Sequence, residues 1–104
     1  MLAASFDALR DDPARNLNLL QQLRDETDAS NRLVLEALGD GASLDEDPRL
    51  QNPDLYVDAL LGTGLTSALR DPIDAVVDWL NDRPVPVVAV DVPTGLHSDT
   101  GAVM

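Results

Sequence analysis

Apolar residues recur at helical spacing in three stretches of the chain and as short continuous runs in two others, and the order of these patterns predicts the fold. Leu17, Leu20 and Leu23 follow Asp11-Asp12-Pro13. An aspartate that can cap free N–H groups and a proline at the first helical position predict a helix from Asp12 to about Arg24. Leu33, Val34, Ala37 and Leu38, with Ser30 or Asn31 as cap and Gly39 as terminator, predict a second helix. Asp40 to Pro53 is polar and contains proline, so it reads as a loop. Leu55-Tyr56-Val57-Asp58-Ala59-Leu60-Leu61, closed by Gly62, predicts a strand ending in a turn. The cap-plus-proline pair returns at Asp71-Pro72, and Ile73, Val76, Val77 and Leu80 lie at i, i+3, i+4 and i+7, an apolar stripe down one helix face. Val85 to Val90 is β-branched on both alternating faces, the pattern of a strand buried in a parallel sheet, with Pro86 tolerable only near its start. Strand, helix and strand make a βαβ unit. Both strand carboxyl ends then meet at one sheet edge, where ligands bind in open α/β sheets.

Composition narrows the classes. Nineteen acidic residues against seven basic ones give a net charge of −12, which repels nucleic acids and anionic membranes. All the basic residues are arginine, a bias open to two explanations, a salt-adapted source and a GC-rich genome. Cysteine is absent, so disulfides and thiolate chemistry are excluded. No secretory signal or membrane-length apolar run occurs, which predicts a cytoplasmic protein. With two predicted strands the sheet lacks partners, so the chain is expected to be a partial domain that is poorly stable and inactive by itself.

The candidate chemistry sits at the strand ends. Asp58 and Asp91 each end an apolar run, and each precedes a glycine-containing turn: Gly62-Thr63-Gly64 and Pro93-Thr94-Gly95. Adjacent strands run about 4.8 Å apart. Two carboxylates so placed repel unless a proton, a metal ion or several donors compensate. A lone aspartate after a strand is ordinarily a turn residue; two at one edge, each beside a turn able to admit a ligand, suggest a site. The first turn departs from the dinucleotide fingerprint G-x-G-x-x-G, because Ser67 stands at the third glycine.

Taken together, Asp58-Ala59-Leu60-Leu61-Gly62-Thr63-Gly64-Leu65, then Val90-Asp91-Val92-Pro93-Thr94-Gly95-Leu96, then Asp99-Thr100-Gly101 resembles the NAD(P)H-hydrate epimerase family, the YjeF amino-terminal domain. The resemblance covers residues 54–101, and the first helix is similar to one earlier in that domain. The family's Asn-Asn-Gly-Gly-Asp-Gly loop has no counterpart here. The resemblance implies that residues 1–104 form part of a Rossmann-like three-layer α/β sandwich with a parallel sheet. It further implies epimerisation of the R and S forms of hydrated NADH and NADPH, so that a dehydratase can restore the cofactor. Asp58 and Thr94 match the positions that bind K+, Thr94 standing where the family usually has serine. Gly62, Thr63, Gly64, Leu65, Thr66, Ser67 and Ala68 match the loop that contacts the hydrated nucleotide. Asp91 matches a substrate-binding position and is the candidate catalytic acid–base. The partners to be expected are the small-molecule substrate, a second copy in a homodimer, and a fused or separate ADP-dependent dehydratase domain.

Two rival readings remain, a non-catalytic scaffold of the same family and a generic nucleotide-binding domain. Retention of Asp58, Thr94 and Asp91 disfavours the first, and the missing third glycine the second. His97, the only histidine, is of the residue type most used for proton transfer near neutrality, but it reads as a loop residue because the family varies there. Trp79 lies off the apolar stripe and is expected to pack, partly exposed. Asp45-Glu46-Asp47 reads as a solvated loop.

Overall fold

The computed structural model describes residues 9–26, 33–37 and 44–104. It is α/β, and the chain divides into two compact units, Met1–Asp40 and Gly41–Met104.

The described part of the first unit is dominated by helix α1, Asp11–Glu26. Asp11 and Asp12 occupy its first turn and Arg24 its last, each favourably placed against the helix dipole. Of the predicted leucine stripe only Leu17 is buried, while Leu20 and Leu23 are exposed. The second predicted helix is not formed where the chain is described: Leu33–Glu36 is not helical and Ala37 makes a single β-bridge. The physical reason is visible in Leu33-Val34-Leu35, three consecutive apolar residues with no polar face between them, a run that suits extended backbone as well as helix. Ser30, Asn31, Leu38 and Gly39, the proposed ends of that helix, lie outside the described residues.

In the second unit the acidic stretch, which the sequence predicts as a loop, holds two 3-10 turns, Leu44–Glu46 and Pro48–Leu50. Asp47 caps the second: its carboxylate accepts the Arg49 N–H at 2.9 Å, and Pro48 follows where a missing donor costs nothing. Strand β1 is Tyr56–Asp58 and strand β2 is Val87–Ala89. They pair in parallel with Tyr56 opposite Val87, Val57 opposite Val88 and Asp58 opposite Ala89. Pro86 stays just outside β2 and contributes its carbonyl, which accepts the Tyr56 N–H at 2.9 Å.

Helix α2, Ile73–Asn81, connects the strands. Pro72 occupies the cap position and no side chain caps the helix, so Asp71 does not play the role the sequence suggests. The stripe itself forms. Val76 is buried and Ile73, Val77 and Leu80 are half-buried. Tyr56 and Asp58 lie on the covered face of the sheet, with the Tyr56 ring edge-on to Trp79 of α2 at 5.5 Å. The opposite face is bare. Val57 and Val88, paired in register, are 62% and 51% exposed, and Val90 is 71% exposed. β2 is thus not buried on both sides as its composition predicts. Among the described residues of this unit there are two layers, a parallel sheet and one helix.

Candidate active site

Because side chains alternate along a strand, Asp58 shares the covered face with Tyr56. Its carboxylate is buried and meets the turn that follows β2. Thr94 donates twice, from its backbone N–H to Oδ2 at 2.7 Å and from its hydroxyl to Oδ1 at 2.7 Å. The Leu60 N–H also reaches Oδ1 at 3.2 Å, folding the chain over at the strand end. Thr94 Oγ1 in turn accepts the Leu61 N–H at 3.2 Å. Two loops far apart in sequence are therefore tied by one carboxylate and one hydroxyl.

Asp91 is placed differently. It is exposed, just beyond β2, and its Oδ2 accepts the Thr63 N–H at 3.2 Å. The Ser98 hydroxyl donates to the Thr63 carbonyl at 3.2 Å, so the first glycine turn is held from both sides by the chain after β2. Gly95 adopts φ +99°, left-handed backbone that favours glycine, and a side chain there would also press on Leu69. The loop from Gly62 to Ala68 leaves β1 toward α2, with Gly62 and Leu65 half-buried and Thr63, Gly64, Thr66, Ser67 and Ala68 exposed.

The expected juxtaposition takes a specific form. The structure brings Asp58 to Thr94 and Asp91 to Gly62-Thr63, two contacts across the same edge of the sheet. Each carboxylate is met by hydrogen-bond donors. Asp58 accepts three hydrogen bonds, all from uncharged groups. A carboxylate offers about four lone-pair sites, so capacity remains on Oδ2, and among the described residues no ion pair to it is seen. Together with the Thr94 hydroxyl and the Leu61 carbonyl, 3.5 Å from it, this makes an oxygen-only set of the kind that ligates a weakly hydrated monovalent cation. No cluster of three or more acidic, histidine or cysteine groups suited to a metal occurs among the described residues. A cavity of about 140 Å³ lies on the α2 side of the pair, lined by Asp58, Val77, Leu80, Asn81, Val87 and Thr94 among others. Ligand pockets usually exceed about 300 Å³, so this cavity is too small for a nucleotide.

His97 is engaged locally: its Nδ1 accepts the Asp99 N–H at 3.2 Å, and its carbonyl accepts the Gly101 N–H at 2.8 Å. Ser98, not singled out in the sequence, carries the contact to Thr63. Trp79 packs as expected but also donates from Nε1 to Asp45 at 2.9 Å, and Arg83 lies 4.4 Å over its ring while pairing with the same carboxylate. The bond from Trp79 is the main cause that holds the Asp45 carboxyl below its usual range; desolvation opposes it, and Arg83 adds to the lowering. Arg49, through its side chain and then its backbone N–H, brings Asp47 to about 2. The acidic stretch is thus anchored at Asp45 and Asp47 rather than merely solvated.

No helix among the described residues is long and apolar enough to cross a membrane. No solved structure matches the chain significantly. A bifunctional NAD(P)H-hydrate repair enzyme of Salinibacter ruber is 53% identical over all 104 residues, which make up 19% of that protein. The enzyme of the same name in Escherichia coli is 54% identical over 52 residues, half of this chain and 10% of the relative. One in Leishmania infantum is 48% identical over 50 residues, covering 48% of this chain and 9% of the relative. The chain therefore spans at most about a fifth of the length of these relatives. The profile of the family described as YjeF-related protein N-terminus matches residues 1–104, and the chain belongs to that family.

Proposed function

We propose that this chain forms part of the site of an NAD(P)H-hydrate epimerase, which interconverts the R and S epimers of NADH and NADPH hydrated at nicotinamide C6. The observation that carries the reading is the Asp91 carboxylate, exposed at the carboxyl edge of a parallel sheet and held by the Thr63 N–H beside a glycine turn. The names of the relatives support the substrate class.

In this reading the loop Gly62–Ala68 and Asp91 face the hydrated nucleotide. Asp91 passes a proton to the C6 hydroxyl. The C–O bond breaks, water leaves, and the ring nitrogen lone pair stabilises the planar iminium. Water then adds to the other face of C6 and returns a proton to the Asp91 carboxylate, so no electrons are gained or lost. Asp58 and Thr94 would hold K+, whose positive charge would offset the anionic groups gathered at this edge. Asp58 and Thr94 also fix the Pro93-Thr94-Gly95 turn in place, and with it the approach to Asp91.

The bare row of Val57, Val88 and Val90 supports a third layer over the sheet in the complete domain, as in a Rossmann-like sandwich. The bifunctional relatives support an ADP-dependent dehydratase in the same protein, acting in the cytoplasm on one of the two epimers. The test is direct. R/S interconversion by the full-length protein should be measurable and should fall sharply in Asp91→Asn. Full-length protein without interconversion would overturn the reading.

A further inference from the structure

We propose that Gly62 is a positioning residue for Asp91, present because a side chain at that position would displace the carboxylate from the Thr63 N–H. The inference rests on the reading of Asp91 given above and deepens it.

A Cβ built on Gly62 would stand 2.6 Å from Asp91 Oδ2 and 3.7 Å from its Cγ. The first distance is shorter than carbon and oxygen tolerate without moving. Backbone conformation does not demand glycine here, since Gly62 is not among the residues with positive φ. Space alone does. The other glycines at these two turns differ: Gly64 has nothing within 4 Å of its would-be Cβ, whereas Gly95 is required by its φ of +99°. Gly62 is the one whose absent side chain is occupied by a functional carboxylate.

The atom in the way is the far end of an exposed side chain. An added methyl group would therefore turn Asp91 aside rather than disrupt the strand, and the 3.2 Å bond to the Thr63 N–H would be lost. Such a change alters the aim of the carboxylate and leaves the chain folded. Misplacing a reacting group by about 1 Å costs on the order of 10²-fold in rate.

The experiment is a double-mutant cycle in the full-length protein with Gly62→Ala, Asp91→Ala and the pair, reading kcat and KM for R/S interconversion and the amide resonance of Thr63. Gly62→Ala should lower kcat by about 10²-fold with little change in KM. It should move the Thr63 amide to where Asp91→Ala moves it, and should cost nothing further once Asp91 is alanine. An equal loss in both backgrounds, which would mean that Gly62 serves the substrate directly, overturns the proposal. So does an unmoved Thr63 amide. Should Asp91→Ala leave interconversion intact, the acid–base reading fails, and the amide alone then decides whether Gly62 positions the carboxylate. Should Gly62→Ala fail to fold, recovery of folding in the pair supports the steric contact and continued failure overturns it.

Discussion

Two aspartates at the ends of two parallel strands, each beside a glycine-containing turn, have opposite surroundings. Asp58 is 7% exposed and takes three hydrogen bonds from its own chain. Asp91 is exposed and takes one. The difference follows from register. Asp58 is still part of β1 and points to the face that α2 covers, whereas Asp91 lies two residues past Ala89, where pairing has ended and the chain turns toward the loop side. The buried carboxylate, with three donors, ties two loops together and acts as a clamp. The exposed one, with a single donor, has most of its acceptor capacity to spare.

The largest effect that would break this contrast is at Asp91. Asp91→Asn in the full-length protein keeps the shape and removes the proton carrier, so turnover should fall roughly 10²- to 10⁴-fold. KM should change less. A raised KM with unchanged kcat would make Asp91 a binding group only, and would move the proton transfer elsewhere.

Asp58 should answer in stability first. Asp58→Ala leaves the buried N–H and hydroxyl of Thr94 without their acceptor, a cost of about 2–6 kcal/mol at about 1–3 kcal/mol for each orphaned group. Chemical denaturation of the full-length protein would measure it. Asp58→Asn keeps one acceptor oxygen and loses the charge, so stabilisation of the protein by added KCl over an equal concentration of a bulky cation should diminish. A potassium dependence that survives this substitution would separate the clamp from any ion. Thr94→Val should cost about 1–2 kcal/mol by removing a hydroxyl that both donates and accepts, and Thr94→Ser should restore most of it.

How much of this was legible beforehand depended on whether local pattern and tertiary surroundings agreed. The stripe of Ile73, Val76, Val77 and Leu80 was readable because α2 meets a single surface, so period and burial coincide. Asp58 and Thr94 could be proposed together from the sequence, but not as mutual hydrogen-bond partners, since that depends on the path of the turn after β2. Leu33 and Val34 misled because a short apolar run has no period of its own. Val87 and Val88 carry the composition of a doubly covered strand, yet one of their faces is bare in this chain. Composition records the environment a strand is suited to, not what covers it here. Ser98 gave no signal at all: a serine in a polar loop becomes informative only when its hydroxyl is seen on the Thr63 carbonyl.

The smallest expected effect lies away from the paired strand ends, at the contact that ties the acidic stretch to α2, and it tests whether that anchoring is independent of the site. The Asp45 carboxyl is held below its usual value of 3.8 by the bond from Trp79 and then by Arg83. A lowered folded value means that the contact stabilises the fold above the unfolded value and is lost as pH falls through the folded one. As pH falls, the indole N–H resonance of Trp79 should therefore follow Asp45 with a midpoint below 3.8. The Arg49 contact of Asp47 should persist further, until pH approaches about 2. Trp79→Phe keeps the ring against Tyr56 and under Arg83 but removes the donor, so Asp45 should then titrate closer to its ordinary value while R/S interconversion stays unchanged. A shift of the indole resonance nearer neutrality would mean that the anchor responds to some other group, and loss of interconversion in Trp79→Phe would mean that it also supports the strand-end turns.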